Sequence, residues 1–388
     1  MSITHLTAKA VAIPLKRKTW MSTRALTERQ FLLVWLSDDD GVTGIGYSYA
    51  GTHGGQLLAD TVSDVLAAVV LGSDADDIPG LWRQMYQESI LLGRRGAVLR
   101  AMSAVDIALW DLRARRCGVS LARLLGGSTA RPLAAYSSGG YYRSDDESPS
   151  QAVGTEIAAA RVRGFTDHKI KVGGLTIAED AERVAAAAEA IGGRGRLALD
   201  ANNAYPTVAE ALRAARAFER AAGDAGLWWF EEPLSPDNVG GHAELAATLE
   251  TPVASGEIHQ TRWDFAALIE RRAVDILQPD VGVAGGVTEF LRIAHAAEMF
   301  DIPIAPHWHA NLHAQLAAAL PGTLTIEYFA LADDIYNFEA LVTEDTRLRV
   351  AHGQILLSDR PGIGVELDHD AVARYQLDPR AGTVQRAR

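Results

Sequence analysis

The stretches LALDANN (Leu197–Asn203), WWFEEP (Trp228–Pro233) and VASGE (Val253–Glu257) decide how this chain is read. Each is a short apolar run that stops at a carboxylate: Asp200, Glu231 and Glu257. The segments around them, AEDAERVAAAAEAI before the first and TVAEALRAARAFERAA after it, are rich in alanine and have helical periodicity. Outward in both directions the rhythm continues, with strands expected near 133–136, 168–172, 197–200, 227–231, 252–255, 275–278, 302–305 and 324–327. Strands that alternate in this way with helices over roughly 200 residues predict a closed parallel barrel. The expected fold class is α/β, a modified TIM (β/α)7–8 barrel. A doubly wound open sheet is the alternative, weakened by the absence of a G-x-G-x-x-G turn after an early strand.

In such a barrel the reactive groups sit at the C-terminal ends of the strands. The second strand ends in HKIK, and Lys169 and Lys171, two residues apart, point to the same face. Two neighbouring ammonium groups repel. The expectation is a lowered pKa for at least one of them, down from about 10.4, giving a base at neutral pH. An isolated acid at a strand end is usually a turn residue or a helix cap. Three on consecutive strands converge on one mouth, where an oxygen-liking cation such as Mg²⁺ offsets their repulsion. The sixth strand ends in ILQPD, giving Asp280, and the seventh in PIAPHWH, giving His307 and His309. An Asp beside a His fixes its tautomer and raises its basicity. Asp280 as a plain helix cap and His307 as a structural histidine are the simpler readings. The eighth strand ends at Glu327.

Upstream of the barrel, FLLVWLSD (Phe31–Asp38) reads as a strand running into a turn at Asp39-Asp40-Gly41, with GVTGIGYSYA returning as a second strand. From Gly55 to Gly127 the pattern is helical. Residues 1–130 are therefore expected to form an N-terminal α+β capping domain and 131–344 the barrel, with the tail 345–388 packing back on the cap. The chain is 48% hydrophobic over 388 residues, ample for a large core. A formal net charge of −12 gives no general attraction to nucleic acid or an anionic membrane. The single cysteine, Cys117, cannot form an internal disulfide, and the start of the chain lacks the apolar run of a signal peptide. With no apolar run of the roughly 20 residues needed to span a bilayer, a cytoplasmic protein is expected.

The motifs in sequence, HKIKVGG, ALDANN, FEEP, SGE, QPD and the later histidine, resemble the enolase superfamily in its mandelate racemase-like subgroup. AMSAVDIALWDLRARRCGVSLARLLGG (Ala101–Gly127) is similar to that family's helix leading into the barrel. The resemblance implies Asp200, Glu231 and Glu257 as Mg²⁺ ligands, with Glu232 as the adjacent acid. It implies Lys171 as one acid/base catalyst, its pKa lowered by Lys169. The His307–Asp280 dyad would be the second, on the opposite face of the substrate. Glu327 would hydrogen-bond the substrate carboxylate as charge develops on it, and Asn202 would contact metal or substrate. Cap loops around Thr19–Ser22, including Trp20, and Tyr47–Gly55, including His53, would read the distal part of the substrate. GIGYSYAG places Tyr47 where many relatives carry an acid, and PHWHANLH leaves His309 and His313 as further candidates beside His307.

This set implies abstraction of the proton next to a carboxylate through an enediolate, with metal and hydrogen bonds stabilising the second charge. A base on each face permits either racemisation or dehydration. The polar, aromatic segments YSYAGTHGG and SSGGYYRSDD favour dehydration of an acid sugar, an aldonate or aldarate, to a 2-keto-3-deoxy acid. GGYY also resembles a stretch of some tartrate dehydratase-like members. Racemisation or epimerisation of a 2-hydroxy acid is the second reading, and an inactive barrel with a binding role a remote one. The partner is expected to be a small-molecule carboxylate, and the assembly a symmetric homo-oligomer.

Overall fold

A computed structural model describes residues 1–378 apart from Thr23 and Glu147. Three long antiparallel strands open the chain: β1 (Ile3–Met21), β2 (Arg24–Asp38) and β3 (Thr43–Gly51). The β2–β3 turn forms because Asp38 Oδ1 accepts from the backbone N of Asp40 and Val42, while Gly41 takes a φ of 81°. The run FLLVWL is unbroken because both faces of β2 are covered. Phe31 and Leu33 join the core shared with the barrel, and Leu32, Val34 and Leu36 pack on the cap's own helices.

The main cap helix, Ala97–Arg116, lies so close to β3 that a Cβ on Gly44 or Gly46 would fall 2.2 or 2.0 Å from the carbonyl oxygens of Ala108 and Ala104. Strand β1 had no sequence signature. Its LKRKTW end is polar and half-exposed, and its pairing with β2 is long-range.

The barrel strands are β4 (Leu133–Gly139), β6 (His168–Lys171), β7 (Leu197–Asp200), β8 (Phe230–Glu231), β9 (Val253–Ser255), β10 (Ile276–Leu277) and β11 (Ile326–Tyr328), paired in parallel with β11 returning to β4. The seventh barrel strand is reduced to the bridges of Ile304 with Leu277 and Thr323. Ala305 N to Leu277 O at 2.9 Å and Leu324 N to Ile304 O at 2.7 Å close the ring. Among the described residues no α-helix directly follows β11; short 3-10 turns over Leu331–Asp333 and Phe338–Leu341 take its place. The barrel is thus of (β/α)7β type, within the expected fold class.

Among the connections between cap and barrel are a short bridging strand and the tail. A short strand β5 (Tyr142–Arg143), from the loop after β4, pairs with Thr19 and Trp20 of β1. Trp20 therefore lies at the end of a strand rather than in a loop. The tail serves both units: the hairpin β12 (Arg349–Ala351) and β13 (Gln354–Leu356) adds antiparallel to β4, while Ile363 N donates to Asp111 Oδ1 at 2.6 Å and Leu377 N to Ala10 O at 2.8 Å. Residues 379–388 of the expected tail lie outside the described residues. No helix among the described residues is long and apolar enough to cross a membrane.

Candidate active site

Strand alternation sends Ile170, Leu199 and Phe230 outward to the helices, and so Lys169, Lys171, Asp200 and Glu231 inward. The register sets Lys171 opposite Asp200 and Asp200 opposite Glu231, on one rung. Glu257 follows β9 after Gly256, whose φ of 141° favours glycine. Each of the three acids offers an oxygen within 4.8 Å of the others'. Non-glycine residues with left-handed backbone collect at this mouth: Asn202 (φ 43°), Asn203 (64°), Glu232 (41°) and Trp308 (74°). Such strain concentrates at functional sites.

The buried triad is costly as it stands. Burial, then the charge of Asp200, raises the Glu231 carboxyl to about 8, and Glu232 is likewise pushed well up by burial and by Glu257, Asp200 and Glu231. Glu257 Oε2 and Asn202 Oδ1 are buried acceptors without hydrogen-bond partners. A donor set of hard carboxylate oxygens with orphaned acceptors beside it fits a divalent cation of the Mg²⁺ type. Sequence reading missed the groups that aim the middle acid. Trp229 Nε1 (2.9 Å) and Gln278 Nε2 (2.7 Å) both donate to Glu231 Oε2. Trp229 was discoverable, since it stands two residues before Glu231 on the same strand face.

The two lysines differ from expectation. Lys169 Nζ lies 2.6 Å from Glu231 Oε1 and 2.8 Å from Glu327 Oε1, and Lys171 Nζ contacts Asp200 Oδ2. Burial alone would lower both ammonium groups. Glu231 and Glu327 outweigh it for Lys169, and Asp200 outweighs both burial and the repulsion of Lys169 for Lys171, so both are raised. These carboxylates, which a cation at the triad would engage in their place, outweigh the mutual lowering expected from the spacing of the two lysines. Glu327 accepts from Trp308 N (2.7 Å), and its Oε1 forms an ion pair with Lys169. Lys169, then His307, offset burial and hold its carboxyl low, at about 2.

Asp280 makes two contacts, one with each carboxylate oxygen. Oδ1 caps the next helical turn by accepting from Gly282 N at 2.7 Å, and Oδ2 holds His307 Nδ1 at 2.9 Å. With Nδ1 so engaged, His307 Nε2 faces the triad, 3.4 Å from Glu257 Oε2. Burial opposes a proton on His307, but Glu257 and the Asp280 hydrogen bond outweigh it and raise its pKa to about 9.

The outer candidates are placed unevenly. Asn202 sits at the triad, its backbone N 2.9 Å from Asp200 Oδ1. His309 and Tyr47 are fully buried, with His309 Nε2 3.8 Å from Asp280 Oδ1 and the Tyr47 ring stacked on Phe338 at 4.0 Å. Burial, against the pull of Asp280, lowers His309 to about 4. His313 Nε2 accepts from Val281 N at 3.0 Å and is equally buried. Trp20 stacks on Tyr142 at 5.9 Å and lines a cavity of about 570 Å³ beside the site, and His53 is exposed at the bend after β3.

Residues 3–126 match the model of the mandelate racemase/muconate lactonizing enzyme N-terminal domain, and 152–371 match an enolase C-terminal domain-like model. The chain is 34% identical to an arabinonate dehydratase of Saccharolobus solfataricus over 88% of this chain and 89% of that one. It is 33% identical to the L-talarate/galactarate dehydratase of Salmonella typhimurium over 91% and 84%. A crystal structure of L-talarate/galactarate dehydratase with Mg and L-glucarate superposes with a TM-score of 0.86 at 31% identity, covering 97% of this chain and 92% of that one. A racemase of Streptomyces coelicolor with bound magnesium superposes at 0.88 and 32% identity, covering 97% and 100%.

Proposed function

The chain belongs to the mandelate racemase/muconate lactonizing enzyme family of the enolase superfamily, and from that premise we propose that it is a Mg²⁺-dependent dehydratase of an acid sugar, an aldonate or aldarate, forming a 2-keto-3-deoxy acid. The observation that carries this reading is the flanking of the triad: Lys171 meets it at Asp200 and His307 at Glu257. A substrate carboxylate at the triad has its α-carbon between two groups able to move protons. The relatives named as dehydratases, one of them crystallised with Mg and L-glucarate, support the substrate class.

Asp200, Glu231 and Glu257 would hold the cation. When bound, it supplies positive charge against the second negative charge that proton removal places on the carboxylate. With the charge of Asp200 answered by the cation, the ammonium form of Lys171 would lose its nearest stabilising partner; as the free amine, Lys171 takes the C2 proton from one side. The C2–H electron pair flows toward the carboxylate and then expels the C3 hydroxyl. His307 Nε2 gives that leaving oxygen its proton, with Nδ1 held by Asp280 so that the imidazole keeps one orientation. Water leaves, and the enol product takes a proton at C3 to become the 2-keto acid. Lys169, between Glu231 and Glu327, balances their charge throughout.

The same two bases would serve racemisation of a 2-hydroxy acid. A screen of aldonates and aldarates with Mg²⁺, read as 2-keto-3-deoxy product, separates the two. Product from at least one acid supports dehydration. Exchange of the C2 proton without any keto product would replace it with racemisation.

A further inference from the structure

We infer that Arg29 binds a second carboxylate at the far end of the substrate, so that the enzyme selects diacids (aldarates) over the matching monoacids (aldonates); this rests on the acid-sugar reading above. Arg29 comes from cap strand β2, and only 1% of it is exposed. Among the described residues, no carboxylate lies within ion-pairing distance of it. Its Nε donates to Ile335 O at 3.0 Å and its Nη1 to Tyr49 Oη at 2.6 Å, while the buried Nη2 has no partner. A fully buried arginine is ordinarily matched by a carboxylate, because its charge cannot be shed. Arg183, equally buried, follows that rule, with Asp180 at 2.9 Å.

The position of Arg29 relative to the two bases tells what the missing anion is. Its guanidinium carbon lies 4.8 Å from the centre of the Trp308 ring and 6.0 Å from that of Tyr141. Those rings flank the two proton-transfer groups. Trp308 stacks on His307 at 5.6 Å, and Lys171 Nζ lies 5.0 Å from the Tyr141 ring. Arg29 thus lies on the cap side, against the rings that bracket the reacting carbon. A substrate with one carboxylate at the triad extends its other end toward the cap. A terminal hydroxyl there would accept a hydrogen bond from Nη2 but leave the charge unmatched. A carboxylate answers both. Tyr49 ties this arrangement to a second arginine, since Arg100 Nη1 donates to Tyr49 O at 2.7 Å.

The test compares an aldarate with the aldonate of the same configuration, in the presence of Mg²⁺. The wild type is expected to favour the diacid in kcat/KM, and Arg29→Gln to cut the diacid-to-monoacid ratio at least about thirtyfold, as for loss of one partner of a buried charge pair. Arg29→Lys, which keeps the cation, should retain part of the ratio. If Arg29→Gln fails to fold, Tyr49→Phe releases Nη1 while keeping the ring, and should lower the same ratio severalfold. Calorimetric binding of both acids to wild type and variants reads the preference without turnover. Failure to dehydrate any acid then counts against the proposed reaction, while the binding preference still decides the role of Arg29. Equal handling of the two acids by the wild type, or a ratio unchanged in Arg29→Gln, overturns the inference.

Discussion

At the scale of single residues, the site is a row of buried charges whose behaviour depends on which neighbour is closest. Lys171 and His307 sit at opposite ends of the triad, so each is needed for a different proton movement. Lys171→Ala and His307→Asn should each lower kcat by about 10²–10⁴-fold while leaving the response of stability to Mg²⁺ intact. A steady-state assay beside a melting curve checks both halves of that statement. Position of the acids was legible in the sequence, because an apolar run ending in a carboxylate has few other uses when it recurs strand after strand. The direction of the lysine shifts was not, since it depends on the register that brings Lys171 to Asp200. Nor was Arg29. A charged residue before FLLVWL looks like the solvent-exposed start of a strand, and only the docking of cap on barrel buries it.

Between elements, the joint of cap helix and barrel helix carries its own titration. Asp106 on Ala97–Arg116 accepts from Thr288 N (2.9 Å) and Thr288 Oγ1 (2.6 Å) in the first turn of the helix Gly286–Glu298. Burial, against those two hydrogen bonds, raises its pKa from 3.8 to about 7. A raised acid favours the folded state most while it is protonated in both states, below about pH 4. Between about pH 4 and 7 the unfolded chain ionises there and the folded one does not, so this contribution falls by about 1.4 kcal/mol per pH unit, on the order of 4 kcal/mol in all. Asp106→Asn keeps an acceptor and a polar partner for Thr288 and should remove that slope. Denaturant unfolding of wild type and variant from pH 4 to 8 measures the difference. Parallel pH profiles would contradict it. The helix itself was legible from its alanines and leucines, but no local pattern could announce that Asp106 reaches a partner 182 residues ahead. The seventh barrel strand was expected at 302–305, and Ile304 with its two bridges lies inside that range; the missing last helix was hidden, because no local pattern marks where a helix gives way to 3-10 turns.

For the whole molecule, the cap closes a barrel whose mouth holds more buried acid than its lysines neutralise, and a cation is the missing counter-charge. Mg²⁺ at a hundredfold excess over its Kd should stabilise the folded chain by about 2.7 kcal/mol, and Asp200→Asn should lose most of that increment. Thermal unfolding with and without Mg²⁺ reports it. The barrel with its cap could be read from the alternation of strands and helices. The sharing of the tail between cap sheet and barrel, and the β5 bridge that fixes Trp20, required the folded chain. The central claim is that this mouth removes the proton beside a carboxylate, with the two bases and the cation acting together. It is tested most directly by following the C2 proton of a panel of aldarates and aldonates by NMR in D₂O, with Mg²⁺ and with chelator. The account predicts Mg²⁺-dependent loss of the C2 proton from at least one acid, giving a 2-keto-3-deoxy product that carries solvent deuterium at C3. A C2 proton retained in every acid, with Mg²⁺ as without it, would contradict it.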